Sequence, residues 1–210
     1  MNHTKKALIG NILLFLMELA GFIVMLAIYG DVKLKYYTNW SNILGIIAAT
    51  LFIINYFINE KNKTFNDVVK YVKLTSTICL TVTFFIVLCV FIPMDHFNFY
   101  KWAIRENFFS FHFFAPIIAF ICFIFLEKYD FTYIKDTIIG MIFTILYSIT
   151  ISILILAKKV EPPYPFLDYY AHSVIVNIVN VSLVFIFSVF VTAFFIFIKK
   201  KTKESMLKYY

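Results

Sequence analysis

The sequence predicts an all-α, polytopic membrane protein: six transmembrane helices packed as one bundle. Three observations predict it. Of 210 residues, 62% are hydrophobic and 20% aromatic, while only 15% are charged. A soluble domain of this size needs a charged exterior, whereas a bilayer solvates an apolar one. Six apolar runs approach or exceed the roughly 20 residues that a membrane-crossing helix requires. Most of the charge is confined to the short connections between them. The runs are too long, and too free of polar alternation, for barrel strands.

The first run, 7–29, follows Lys5 and Lys6 and resembles a signal peptide at its start. It is longer than a signal core, carries Glu18 and is followed by no small-residue cleavage site, so it is expected to be retained. The others are 41–58, 69–92, 108–126, 136–157 and 173–198, followed by a basic tail over 199–210. No repeat or linker divides the chain, which predicts a single domain over 1–210. Cys79, Cys89 and Cys122 all fall inside apolar runs without CxxC spacing and read as small fillers.

Lysines and arginines orient the bundle. One side holds 13 of them, in the amino-terminal segment, the second and fourth connections and the tail; the other holds 6. Both termini are therefore expected in the cytoplasm, with the chain in the plasma membrane. The net charge of +7 follows this topology. It forms no basic stripe that would suit nucleic acid.

Ionisable and polar groups inside a bilayer are costly and tend to mark function. Thr38 opens the second span from its outer side, within Tyr37-Thr38-Asn39-Trp40-Ser41-Asn42, and His112 lies about one turn into the fourth. Asp168 and His172 lie at the outer start of the sixth. A hydroxyl, an imidazole and a carboxylate thus share one membrane layer. That set suits a nucleophile, its general base and an orienting group. Thr38 or Ser41 equally suits a helix cap. Glu18 lies near the middle of the first span, roughly 16 Å from either end at 1.5 Å per residue. It requires a partner or a proton. Asn180, on one face of span six with Ser173 and Asn177, is the expected partner, and Lys73 the second choice. Gly140, Thr144, Ser148 and Ser152 form a small-residue stripe on span five. It suits close helix approach or a lipid tail. The proline-rich loop 161–170 reads as a lid or as an interfacial anchor.

Three of these features resemble one family: Tyr37-Thr38-Asn39-Trp40-Ser41-Asn42, His112 with Pro116, and Pro163-Tyr164-Pro165-Phe166-Leu167-Asp168. Their order and spacing are similar to those of the androgen-induced (FAR-17a-like) six-pass membrane proteins and their bacterial relatives, the last motif especially to the bacterial branch. The resemblance implies an intramembrane threonine hydrolase, because the animal members split fatty acid esters of hydroxy fatty acids with a threonine and a histidine. Matched by motif, these fall on Thr38 and His112. The surroundings of Thr38 follow the bacterial pattern, and the His112–Pro116 spacing is one residue shorter than in the animal proteins. Glu18, Asn177, Asn180 and Asp168 are expected as polar support, and a membrane lipid or fatty-acid ester as substrate. No phosphate loop, nucleophile elbow or metal motif occurs, so neither cofactor nor metal is expected. The rival expectation is a non-catalytic membrane protein, a small transporter or lipid-binding protein centred on Glu18.

Overall fold

A computed structural model describes residues 3–58, 63–100 and 113–208. Every regular element among them is helical. Helix α1 spans His3–Tyr29, α2 Tyr37–Ile58 and α3 Lys63–Ile86. A π-turn, Val87–Phe91, and a short piece, Ile92–Met94, continue α3. Helix α4 is Phe114–Ile121 with a π-turn Cys122–Leu126, α5 is Tyr133–Leu156 and α6 is Val174–Lys208.

Five helices are long and apolar enough to cross a membrane: α1, α2, α3 with its extension, α5 and α6. The exterior suits a bilayer, since Ile9, Leu16, Ile23, Ile134, Ile138, Leu146, Ile175 and Phe190 all face outward. Of the expected span 108–126, residues 108–112 lie outside the described ones. The helix Phe114–Leu126 is shorter than a crossing on its own.

Helix ends differ from the expected spans for identifiable reasons. Helix α1 stops at Tyr29 because Gly30 turns left-handed, with φ +63°, into a 3-10 turn over Gly30–Lys35. Helix α2 starts at Tyr37, four residues before the expected Ser41, and the carbonyl of Tyr36 accepts the amides of Asn39 and Trp40. The side chains of Asn39 and Trp40 reach back to the carbonyls of Lys33 and Leu34, at 2.7 and 2.6 Å, and fasten the incoming turn. In α3 the π-turn precedes Pro93, whose ring disfavours an ordinary turn against the carbonyl four residues earlier. Helix α6 runs past the expected end at Ile198 to Lys208, so the basic segment prolongs the last helix.

Helix α3 lies centrally, packed against α2, α4, α5 and α6, while α1 packs on α2 and α4. Its stretch Leu74–Leu80 is fully buried. Gly140 brings α5 close to α6. A Cβ there would fall 2.7 Å from Thr192 Cγ2.

Candidate functional site

The buried polar groups form two clusters at opposite ends of the bundle. One surrounds Lys73, whose Nζ is 3.0 Å from Glu127 Oε1 and donates to Asn11 Oδ1 at 2.7 Å. Asn11 Nδ2 donates to the same Glu127 oxygen at 2.9 Å. Lys199 is buried beside them, and its Nζ donates to the carbonyls of Phe123, Ile124 and Glu127, the C-terminal turn of α4. This corrects two expectations. Lys73 is not the partner of Glu18, because it is already paired with Glu127. Lys199 closes a helix end inside the bundle instead of lying in a tail at the lipid surface.

The other cluster surrounds the start of α2. Thr38 is 5% exposed and is the third residue of the helix counted from the Tyr36 cap position. It does not fill the expected capping role. Its backbone N–H instead donates to the hydroxyl of Tyr164, at 3.3 Å. That hydroxyl also meets the Thr38 side chain and the Tyr37 backbone. Tyr164 comes from the proline-rich loop, so a distant residue supplies what a local cap would. Ser41 Oγ donates to the Thr38 carbonyl at 2.8 Å and is paired with Thr83 Oγ1 of α3 at 2.8 Å. A layer of hydroxyls thus links α2, α3 and the loop.

The loop is a lid more than an anchor, because Tyr164 and Leu167 point inward and are buried. Tyr164 stacks between Phe166 (centroids 5.2 Å) and Phe91 (5.7 Å), with Tyr36 edge-on at 5.7 Å. Burial raises the Tyr164 phenol above its ordinary range, so it keeps its proton at any physiological pH. Below the lid is a cavity of about 190 Å³ between α2, α3, α5 and α6. Its walls combine Tyr37, Thr144, Ser148, Ser152, Tyr164 and Tyr169 with aliphatic residues. Several of these hydroxyls are already engaged. Tyr37 is paired with Thr144 at 2.8 Å and Ser152 with Tyr169 at 2.7 Å. The small-residue stripe allows close approach at Gly140, and Thr144, Ser148 and Ser152 line the cavity.

A second cavity, about 400 Å³, is wholly apolar in its lining character. Phe84, Phe85, Phe120, Phe187, Phe190 and Phe194 dominate it, between α3, α4 and α6.

The remaining expected site residues are distributed as follows. His112 lies outside the described residues; its neighbour Phe113 packs on Phe84, centroids 5.2 Å apart, directly after Thr83. Asp168 Oδ1 accepts the amides of Tyr170 and Ala171 at 3.2 and 3.1 Å and shapes the turn into α6. His172 is exposed, with Nε2 3.3 Å from the Pro165 carbonyl. Asn177 Nδ2 donates to the carbonyls of Tyr169 and His172, and Asn180 Nδ2 to that of Phe166. Both asparagines tie the lid to α6. The expected Glu18–Asn180 bond is absent: Asn180 Nδ2 donates to the Phe166 carbonyl, and Glu18 has no hydrogen-bond partner among the described residues. Glu18 lies instead against Gly45 of α2, and a Cβ there would meet its Oε1 at 3.2 Å.

Asn42, Tyr164, Thr83 and Glu127 were not singled out by pattern alone. For Asn42 a signal existed in its place one turn after Thr38, on the same helix face. Among the described residues no three His, Cys, Asp or Glu side chains come together as a metal site. Comparisons with family models, curated proteins and solved structures found no match to this chain.

Proposed function

We propose that this protein is a six-span membrane enzyme that hydrolyses a lipid or fatty-acid ester, with Thr38 as nucleophile and His112 as general base. On this reading both termini face the cytoplasm of a cell whose plasma membrane holds the protein, and the lid faces outward. The observation that carries the proposal is the state of Thr38. It is buried inside the first turn of α2 and so does not cap it, its amide donates to Tyr164, and that same tyrosine lines a largely apolar cavity.

The chemistry runs in two halves. Thr38 Oγ1 attacks the ester carbonyl while His112 takes its proton, then returns it to the departing alkoxide. Water attacks the acyl-threonine, and the fatty acid leaves as Thr38 regains its proton. Tyr164, held protonated, is a donor for the developing oxyanion. The packing of Phe113 against Phe84, beside the Thr83–Ser41 pair, supports bringing the start of the fourth span towards Thr38. The cavity below the lid receives the acyl tail, and Asp168, Asn177 and Asn180 support the site by holding the lid.

Purified protein in nanodiscs, assayed on a panel of fatty esters, tests this. Thr38→Ala and His112→Ala each lower turnover by about 10⁴-fold, the scale seen when a nucleophile or its base is removed. Turnover of both variants at the rate of the unaltered protein refutes the proposal. One observation favours a second reading, a proton- or ion-coupled transporter: the Glu18 carboxylate is buried with both oxygens unpartnered. Coupled uptake that disappears in Glu18→Gln, in a protein that hydrolyses no ester, would establish it.

A further inference from the structure

Four buried polar atoms on two adjoining helices have no hydrogen-bond partner: both carboxylate oxygens of Glu18 and both amide atoms of Asn42. Glu18 is 0% and Asn42 1% exposed. The other two such atoms among the described residues, Glu127 Oε2 and Asn177 Oδ1, belong to side chains whose remaining polar atom is bonded. Glu18 and Asn42 alone are left without any protein bond at either atom. A bundle that pairs Lys73, Asn11, Ser41, Thr83 and Thr144 does not leave two whole side chains unpaired without a reason.

Glu18 packs against the turn of α2 that follows Asn42. Glu18 Oε1 lies 3.2 Å and its Cδ 3.5 Å from where a Gly45 Cβ would be. Asn42 precedes Gly45 by three residues, and Thr38 precedes Asn42 by four, so all three lie on one face of α2. Leu80 Cδ1 approaches the same point to 3.4 Å, and Leu14 and Ala49 are buried nearby in one core cluster. The surroundings of Glu18 are otherwise apolar. A carboxyl group repels an anion. A guest must donate to Glu18 and both donate to and accept from Asn42. Water does this with three small bonds, within the two to four that hold buried water in proteins.

We infer that Glu18 and Asn42 hold the water that hydrolyses the acyl-Thr38 intermediate. This rests on the threonine-hydrolase reading. Deacylation consumes one water molecule, and a carboxyl and an amide without protein partners can hold one. Asn42 lies one turn, roughly 6 Å along the axis, from Thr38. The stored water moves up the face of α2, its oxygen bonds to the acyl carbon and the bond from that carbon to Thr38 Oγ1 breaks. One water proton returns to Thr38 through His112, and the acid leaves with the other.

The test separates acylation from deacylation. Full-length protein in nanodiscs is mixed with a 4-methylumbelliferyl fatty ester and followed by stopped-flow fluorescence and intact mass spectrometry. Glu18→Leu and Asn42→Leu release one equivalent of fluorophore at the unaltered rate, then turn over about 100-fold more slowly. A persistent acyl adduct maps to Thr38. Gly45→Ala, a substitution that favours the helix, crowds Glu18 Oε1 with a methyl group and slows deacylation about 10-fold. It keeps the inference testable should a leucine variant aggregate. Equal loss of burst and turnover without adduct, or unchanged deacylation in Gly45→Ala, overturns the inference. If the unaltered protein neither acylates nor turns over, the hydrolase reading falls as well. If it turns over and the variants match it, only the stored water falls.

Discussion

Two buried polar regions of the bundle, one around Lys73 and one around Glu18 and Asn42, handle polarity in opposite ways. Around Lys73 and Lys199, two ammonium groups, a carboxylate, an amide and the carbonyls of a helix end bond one another, leaving only Glu127 Oε2 without a partner among the described residues. Around Glu18 and Asn42, four polar atoms are left to something other than protein. The first arrangement joins α1, α3, α4 and α6 and holds the fold together. The second lies deeper than Thr38 along α2, and no protein bond among the described residues ties it into the fold. Buried polar groups in the bundle thus come in two kinds, with partners and without.

The difference is measurable in stability. Lys73→Ala or Glu127→Ala leaves an uncompensated charge within the bundle and costs about 3–5 kcal/mol, seen as a collapse of the thermal midpoint in nanodiscs. The paired change Lys73→Met with Glu127→Leu removes both charges and recovers most of that loss. At Glu18 the sign reverses. Glu18→Leu replaces an unpaired polar group by an apolar one of similar size and stabilises by about 1 kcal/mol, while turnover falls. A destabilised Glu18→Leu would mean that Glu18 is structural and would erase the contrast. The smallest effect belongs to Tyr164→Phe, which keeps the stack with Phe91 and Phe166 but removes the bond to the Thr38 amide. It lowers stability by about 1 kcal/mol, the usual worth of a helix cap, and turnover about 10-fold. An unchanged turnover would leave Tyr164 a cap only.

Much of the fold is legible in the apolar runs, because a bilayer imposes a minimum helix length and rewards continuous apolarity. The helix ends are less so. Tyr164 takes the Thr38 amide at the start of α2 and Lys199 closes α4, each from far away in the chain, and hydropathy carries no information about such pairs. Glu18 is conspicuous in the sequence as a carboxylate amid apolar residues, but its surroundings are not. Depth counting favoured Asn180, whereas the packing of α1 on α2 sets Glu18 against Gly45. In the sequence Thr38 suits a cap or a nucleophile; the start of α2 at Tyr37 sets it inside the helix, and Tyr164, 126 residues away, accepts from its amide.

The most direct test is the site of covalent attack. Protein in nanodiscs is incubated with a long-chain alkyl fluorophosphonate, digested and sequenced by mass spectrometry. The account predicts one adduct, on Thr38, lost in Thr38→Ala and strongly reduced in His112→Ala. A protein left unlabelled, or labelled at the same residue with Thr38 removed, would contradict it.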